Sequence, residues 1–113
     1  MRFNAYPVWT LDESRLELAR IQHGSRAFGY HVTMGGGVIN NGQSSHDLDL
    51  YFLPLDNDQA SPNATNLQTW LETLWGPSYP LNDPAYGPSP YYKLKLKFLP
   101  LVSKRIDVFV IGG

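Results

Sequence analysis

Hydrophobic and polar residues recur along the chain with two different periods, and the longer period predicts two helices. The first helix begins at Asp12, where an acidic residue suits the helix dipole, and Gly24 is expected to end it. The second is predicted over residues 62–75, with Ser61 as its cap and Pro62 at its first position. Its apolar side chains recur at helical spacing and form one face: Leu67, Trp70, Leu71, Leu74 and Trp75.

The shorter, alternating period predicts β-strands, and the first ten residues are expected to form an extended arm or a short strand. A long loop is predicted over residues 76–91, which carry prolines at 77, 80, 84, 88 and 90. Such a loop is either a lid or binding segment or a passive surface connection, and both remain open. The predicted strands cover residues 28–34, 48–55, 92–99 and 105–111.

This order of elements, helix, strand, strand, helix, strand, strand, predicts the fold class. Short connections between several of them favour an α+β domain with a small mixed sheet of about four strands and two main helices packed on one face. A chain of 113 residues is large enough for one core, so we expect residues 1–113 to form a single domain.

Composition and charge narrow the function classes. The net charge of −1 gives no general attraction to nucleic acid or to a membrane surface, and no apolar run approaches the roughly 18 residues that a membrane span needs. Cysteine is absent, which excludes disulfides and thiolate metal sites. Residues 1–7 lack the apolar segment of a signal peptide, so we expect a cytoplasmic protein.

Carboxylates inside apolar strands are the most informative chemical feature of the chain. Asp47 and Asp49 are two apart, so they point from one face of a strand, and Asp107 interrupts a β-branched run. Close carboxylates repel each other unless a cation lies between them, and hard oxygen ligands suit Mg²⁺. The alternatives are a solvated edge strand for the first pair and an ion pair with Lys104 or Arg105 for Asp107.

Glycines and serines precede the first carboxylate pair. Gly36 and Gly37 follow the strand over residues 28–34, and successive backbone amides there can cradle phosphate oxygens. Ser44 and Ser45 add hydroxyl donors. A tight turn needs glycine equally often, so the position next to the carboxylates gives the cluster its weight.

Together, Gly36-Gly37, Gly42, Ser45, Asp47-Leu48-Asp49-Leu50 and Ile106-Asp107-Val108 resemble the signature of the nucleotidyltransferase superfamily related to DNA polymerase beta. The resemblance implies a compact mixed sheet, two Mg²⁺ ions, a nucleoside triphosphate donor, ATP among the candidates, and release of pyrophosphate. It assigns metal binding and catalysis to Asp47, Asp49 and Asp107. It assigns the phosphate-facing positions to Gly36, Gly37 and Ser45.

The resulting expectation is a Mg²⁺-dependent nucleotidyltransferase that transfers a nucleoside monophosphate to an acceptor hydroxyl of a protein, an RNA end or a small molecule. The alternative is a catalytically inactive relative that binds a nucleotide, a nucleic acid or a partner protein. An oligomer with the proline loop as a docking surface also remains open.

Two further sets of side chains have two interpretations each. Lys93, Lys95 and Lys97 form either a positive wall for phosphates or a guard against edge-to-edge pairing of strands. Tyr92, with other tyrosines beside the proline loop, either stacks on a base or anchors that loop.

Overall fold

The computed structural model describes residues 9–35, 43–44, 47–55, 62–81, 92–101 and 104–111, and these residues form two helices and seven strands. A short 3-10 turn, Arg26–Phe28, follows the first helix. In chain order the elements are β1 (Trp9–Thr10), α1 (Leu11–Ser25), β2 (Tyr30–Gly35), β3 (Gln43–Ser44), β4 (Asp47–Pro54), α2 (Ala64–Trp75), β5 (Ser78–Pro80), β6 (Tyr92–Leu101) and β7 (Lys104–Ile111).

The main sheet has five strands in the order β2-β4-β7-β6-β5. Strands β4 and β7 are parallel, and every other neighbouring pair is antiparallel, so the sheet is mixed as predicted. Strands β1 and β3 form a separate antiparallel pair.

The predicted number of about four strands is too low, because the main sheet has a fifth strand, β5, inside the expected proline loop. This strand is three residues long and pairs with the middle of β6, where Tyr79 lies opposite Lys97. Alternation is not visible over three residues of which one is proline. Only the pairing with β6 defines this strand.

One face of the sheet carries the core. Residues at alternate positions of β2, β4, β6 and β7 point to the same side and pack with residues of both helices, so the two helices cover one face. The buried members include Ile21 of α1, Leu67 and Leu71 of α2, Leu48, Leu50 and Phe52 of β4, and Ile106, Val108 and Val110 of β7.

The helix ends differ from the predictions. Thr10 caps α1, where its hydroxyl accepts a hydrogen bond from the Glu13 backbone at 3.1 Å and the Glu13 side chain accepts one from Thr10 N at 3.2 Å. Gly24 does not end this helix but lies within it. A Cβ at Gly24 would lie 2.4 Å from the ring of Trp70, so glycine allows the close approach of α2.

The prediction that Ser61 caps α2 is also wrong. Asn63 is the cap, because its side chain accepts a hydrogen bond from Asn66 N at 3.0 Å. Pro62 therefore precedes the helix instead of occupying its first position. The strand expected over residues 28–34 begins later, at Tyr30, because a 3-10 turn intervenes and Gly29 follows it with a φ of 84°.

Candidate functional site

Two of the predicted carboxylates lie side by side on the face of the sheet opposite the core. Asp49 on β4 and Asp107 on β7 are register partners in the parallel pair, and neighbouring strands are about 4.8 Å apart. Their apolar chain neighbours all point into the core, so strand alternation turns both carboxylates to the other face. Asp107 is fully buried, and Asp49 is half-buried.

Asp47 begins the same strand, and its backbone is the register partner of Arg105. Its side chain lies outside the described part of the chain, as does that of Ser44, whose backbone pairs with Trp9. Gly36, Gly37 and Ser45 also lie outside the described residues. The structure therefore places two of the predicted site side chains, Asp49 and Asp107, and brings their backbones into register.

Arg105 forms an ion pair with Asp107. Its Nε lies 2.8 Å from Oδ1, and its Nη2 donates a hydrogen bond to Oδ2 at 3.0 Å, so the guanidinium contacts both carboxylate oxygens. The two residues are two apart on β7 and therefore share a face. Of the two partners expected for an ion pair with Asp107, the structure places Arg105 there; the side chain of Lys104 lies outside the described part.

The ion pair is unequal in exposure. The side chain of Asp107 is 0% exposed and that of Arg105 is 31% exposed. A buried carboxylate without a cation is strongly destabilising, whereas a half-exposed guanidinium keeps part of its hydration. Asp107 therefore needs a cation more than Arg105 needs an anion.

Two lysines of β6 lie on the carboxylate face. Lys97 is the register partner of Asp107, and Lys95 is that of Phe109. Both side chains are half-buried. At Lys97 strand β6 pairs with β5 on one side and β7 on the other, so protection of a free edge does not explain this lysine.

Aromatic rings continue this face beyond the carboxylates. Tyr51 stacks on Phe109 with ring centroids 4.9 Å apart and planes 17° apart, and Tyr92 lies on the same Phe109 at 5.7 Å. Lys95 Nζ lies 5.9 Å from the centroid of the Tyr92 ring. Contact with Phe109 therefore positions the Tyr92 ring on this face of the sheet. This packing role differs from the two that the sequence suggests, stacking on a base and anchoring the proline loop.

Tyr51 is a candidate site residue that the sequence analysis did not select. Burial raises the pKa of Tyr51 above its usual 10.0, and the charges of Asp49, Tyr92 and Asp107 raise it further, so its hydroxyl keeps its proton beside the carboxylates. The strand pattern alone predicts this position, because Tyr51 is two residues beyond Asp49 in an alternating strand and therefore shares its face.

Gly35 explains how the Tyr51 ring fits. Gly35 ends β2 as the register partner of Asp49, and a Cβ there would lie 2.9 Å from Tyr51 Cε2. Glycine at this position therefore leaves room for an aromatic ring. A cradle for phosphate was expected from the next two residues, Gly36 and Gly37, which lie outside the described part.

The described side chains supply two of the oxygen ligands that a divalent cation would need. Asp49 and Asp107 are hard oxygen ligands on one face, and a cationic guanidinium already lies against one of them. Among the described residues, no group of three or more His, Cys, Asp or Glu side chains is placed to hold a metal ion. The third ligand predicted from the sequence is Asp47, whose side chain lies outside the described part of the chain.

A pocket of about 250 Å³ is lined by Trp9, Glu17, Arg20, Leu74, Trp75 and Pro100. Its polar groups already have partners: Trp75 Nε1 donates to Glu17 at 2.6 Å, and Trp9 Nε1 donates to the Arg105 carbonyl at 3.0 Å. The pocket includes neither Asp49 nor Asp107.

Comparison of the chain with family models, with curated proteins and with solved structures finds no match. Within the described ranges, no helix is long and apolar enough to cross a membrane.

Proposed function

We propose that this chain is a Mg²⁺-dependent nucleotidyltransferase, which transfers a nucleoside monophosphate from a nucleoside triphosphate to an acceptor hydroxyl. The observation that carries the proposal is the register of Asp49 with Asp107 on adjacent parallel strands. Packing of the core requires neither residue, and the pair supplies the oxygen ligands that divalent cations prefer.

In this proposal Asp49 and Asp107, with Asp47, hold Mg²⁺, which when bound neutralises charge on the phosphates and favours ionisation of the acceptor hydroxyl. Asp107 is a metal ligand or accepts the hydroxyl proton. The acceptor oxygen forms a bond to the α-phosphorus, the bond from that phosphorus to the bridging oxygen breaks, and pyrophosphate leaves. Lys97, opposite Asp107, offers a positive charge to the phosphates.

The proposal is tested by thermal unfolding with Mg²⁺ and each nucleoside triphosphate, followed by an assay of pyrophosphate release with protein, RNA and small-molecule acceptors. We expect stabilisation and release in the wild type. Asp49→Asn and Asp107→Asn should each lower the release rate by about 100-fold or more. Asp12→Asn is the matched control, because Asp12 is an exposed carboxylate of α1. Release at the wild-type rate in both site variants would contradict the assignment.

A second function is a catalytically inactive module that binds a nucleotide, a nucleic acid or a partner protein. The ion pair between Arg105 and Asp107 favours it, because a carboxylate engaged by a guanidinium is less available to a metal ion or to a proton. Stabilisation by a nucleotide without release of pyrophosphate from any acceptor would support this second function. No stabilisation by any nucleotide would contradict both transfer and nucleotide binding.

A further inference from the structure

The pocket of about 250 Å³ has apolar walls that are held in place by hydrogen bonds. The walls come from Trp9 of β1, Leu74 and Trp75 of α2, and Pro100 of β6. Both tryptophans are buried, and both indole N–H groups are engaged, by the Arg105 carbonyl at 3.0 Å and by Glu17 at 2.6 Å. These bonds fix the rings, so the walls offer apolar surface to a ligand and no hydrogen-bond donor.

A charged pair on α1 lines the same pocket, and it has spare capacity for hydrogen bonds. Oε1 of Glu17 accepts from Arg20 Nη1 at 3.2 Å and from Trp75 Nε1 at 2.6 Å. Within the described part of the chain, Oε2 of Glu17 has no partner, and Arg20 uses a single N–H of its guanidinium. The side chains of Glu17 and Arg20 are 18% and 51% exposed, so a ligand can reach both. The pocket therefore presents an acceptor for a cation beside donors for an anion.

We propose that this pocket binds a free α-amino acid with a large apolar side chain. The ammonium group contacts Glu17, the carboxylate contacts Arg20, and the side chain packs against the two indoles. A ligand with one charge would leave Glu17 or Arg20 without a partner of opposite sign, whereas a zwitterion satisfies both. The volume lies below the roughly 300–1,000 Å³ of sites for drug-sized ligands, which suits a molecule as small as an amino acid.

The site is tested first with the unmodified protein. Phenylalanine and leucine are titrated while tryptophan fluorescence is followed, because two of the three tryptophans line the pocket. We expect a saturable change. Phenethylamine, which lacks the carboxylate, and 3-phenylpropionate, which lacks the ammonium group, should bind about 10-fold more weakly than phenylalanine. No saturable change with either amino acid at millimolar concentrations would overturn the proposal, and so would equal affinity for phenylalanine and its two analogues.

Substitution of the charged pair assigns each end of the ligand. Glu17→Gln keeps an acceptor for Trp75 but loses the charge, so it should bind phenylalanine about 10-fold more weakly and 3-phenylpropionate no more weakly than the wild type. Arg20→Gln should weaken phenylalanine to the same degree without weakening phenethylamine. A general loss of structure would weaken every ligand, and that result would overturn the assignment of the two ends.

The matched controls are Asp12→Asn and Arg15→Gln, because both residues are exposed on α1 and neither lines the pocket. Both controls should bind phenylalanine as the wild type does. An equal loss of affinity in the controls and in the variants of Glu17 and Arg20 would overturn the proposal.

Leu74→Trp covers the case in which Glu17→Gln does not fold. The larger side chain fills the pocket without changing a charge, so binding of phenylalanine should be lost while circular dichroism shows the helices intact. Wild-type affinity in this variant would overturn the site. The pocket includes neither Asp49 nor Asp107, so its failure would leave the transferase proposal standing, and the absence of pyrophosphate release would leave the pocket proposal standing.

Discussion

The two faces of the sheet use the same strands for different purposes, and neighbouring residues of β7 illustrate the difference. Val108 and Asp107 are both 0% exposed, yet Val108 packs in the core under the helices, whereas Asp107 lies beside Asp49 and Arg105. Burial stabilises Val108 directly. Burial of a charged pair contributes little net stability, because desolvation offsets the attraction.

Packing alone accounts for the residues of the core face but not for the charged residues of the opposite face. Apolar residues of similar volume would serve stability as well as Asp107 and Arg105 do. We therefore propose that the charges on the second face belong to a binding or catalytic site, and we expect substitutions on the two faces to affect stability and activity differently.

The largest expected effect on stability comes from the core face of β4. Phe52 is fully buried, and Phe52→Ala should lower the free energy of unfolding by about 3–5 kcal/mol through lost burial and a cavity. Its chain neighbour Tyr51 is half-buried on the other face, so Tyr51→Ala should lower it by about 1–2 kcal/mol. Urea unfolding measures both, and equal losses would contradict the comparison.

The next effect concerns the ion pair. Arg105→Met leaves Asp107 buried without this cation and should cost about 2–3 kcal/mol in metal-free buffer. The double variant Arg105→Met/Asp107→Leu should recover to within about 1 kcal/mol of the wild type, because no buried charge remains at this position. A double variant no more stable than Arg105→Met would show that the ion pair itself holds the sheet together.

A smaller effect is expected where the helices meet. Alanine favours a helix by about 1 kcal/mol over glycine, but a Cβ at Gly24 would lie 2.4 Å from the Trp70 ring. Gly24→Ala should therefore lower the free energy of unfolding by about 1–2 kcal/mol. In a Trp70→Leu background, which removes the ring, the same substitution should be neutral or stabilising. Stabilisation of the otherwise wild-type protein by alanine would contradict the close approach.

The smallest effect is on the pH dependence of stability. The pKa of Tyr51 is raised by burial and then by Asp49, Tyr92 and Asp107, so the folded protein holds this proton more tightly than the unfolded chain. The stabilisation is complete below pH 10 and is lost as pH rises through the folded pKa. Tyr51→Phe should thus lose less stability than the wild type above pH 10. Urea unfolding of both proteins between about pH 8 and pH 12 measures the difference, and an equal loss of stability in both would contradict it.

Much of the fold could be predicted because it depends on local periodicity. Helices α1 and α2 and strands β4, β6 and β7 follow from apolar spacing, within a few residues at their ends. Strand β5 could not be predicted, because a three-residue segment becomes a strand only through its partner β6. The cap of α2 was missed because Ser61 and Asn63 are both good cap residues, and local sequence does not choose between them.

The residue types of the site could be predicted from the sequence, but which strands lie side by side and which cation contacts Asp107 could not. Alternation places Asp49 and Asp107 on single faces of their strands, and the parallel register of β4 and β7 brings the two faces together. Alternation also places Arg105 with Asp107, yet whether a guanidinium, a lysine or a metal ion satisfies the carboxylate depends on tertiary packing. The role of Gly24 was missed for the same reason, since the Trp70 ring comes from another helix.

The most direct test of the central claim is a crystal structure with Mn²⁺ and an α,β-methylene nucleoside triphosphate, in which anomalous scattering locates the metal. If Asp49 and Asp107 hold the metal ion as proposed, the peak should lie within about 2.5 Å of carboxylate oxygens of both residues. A peak elsewhere, or no peak, would contradict the proposed metal site.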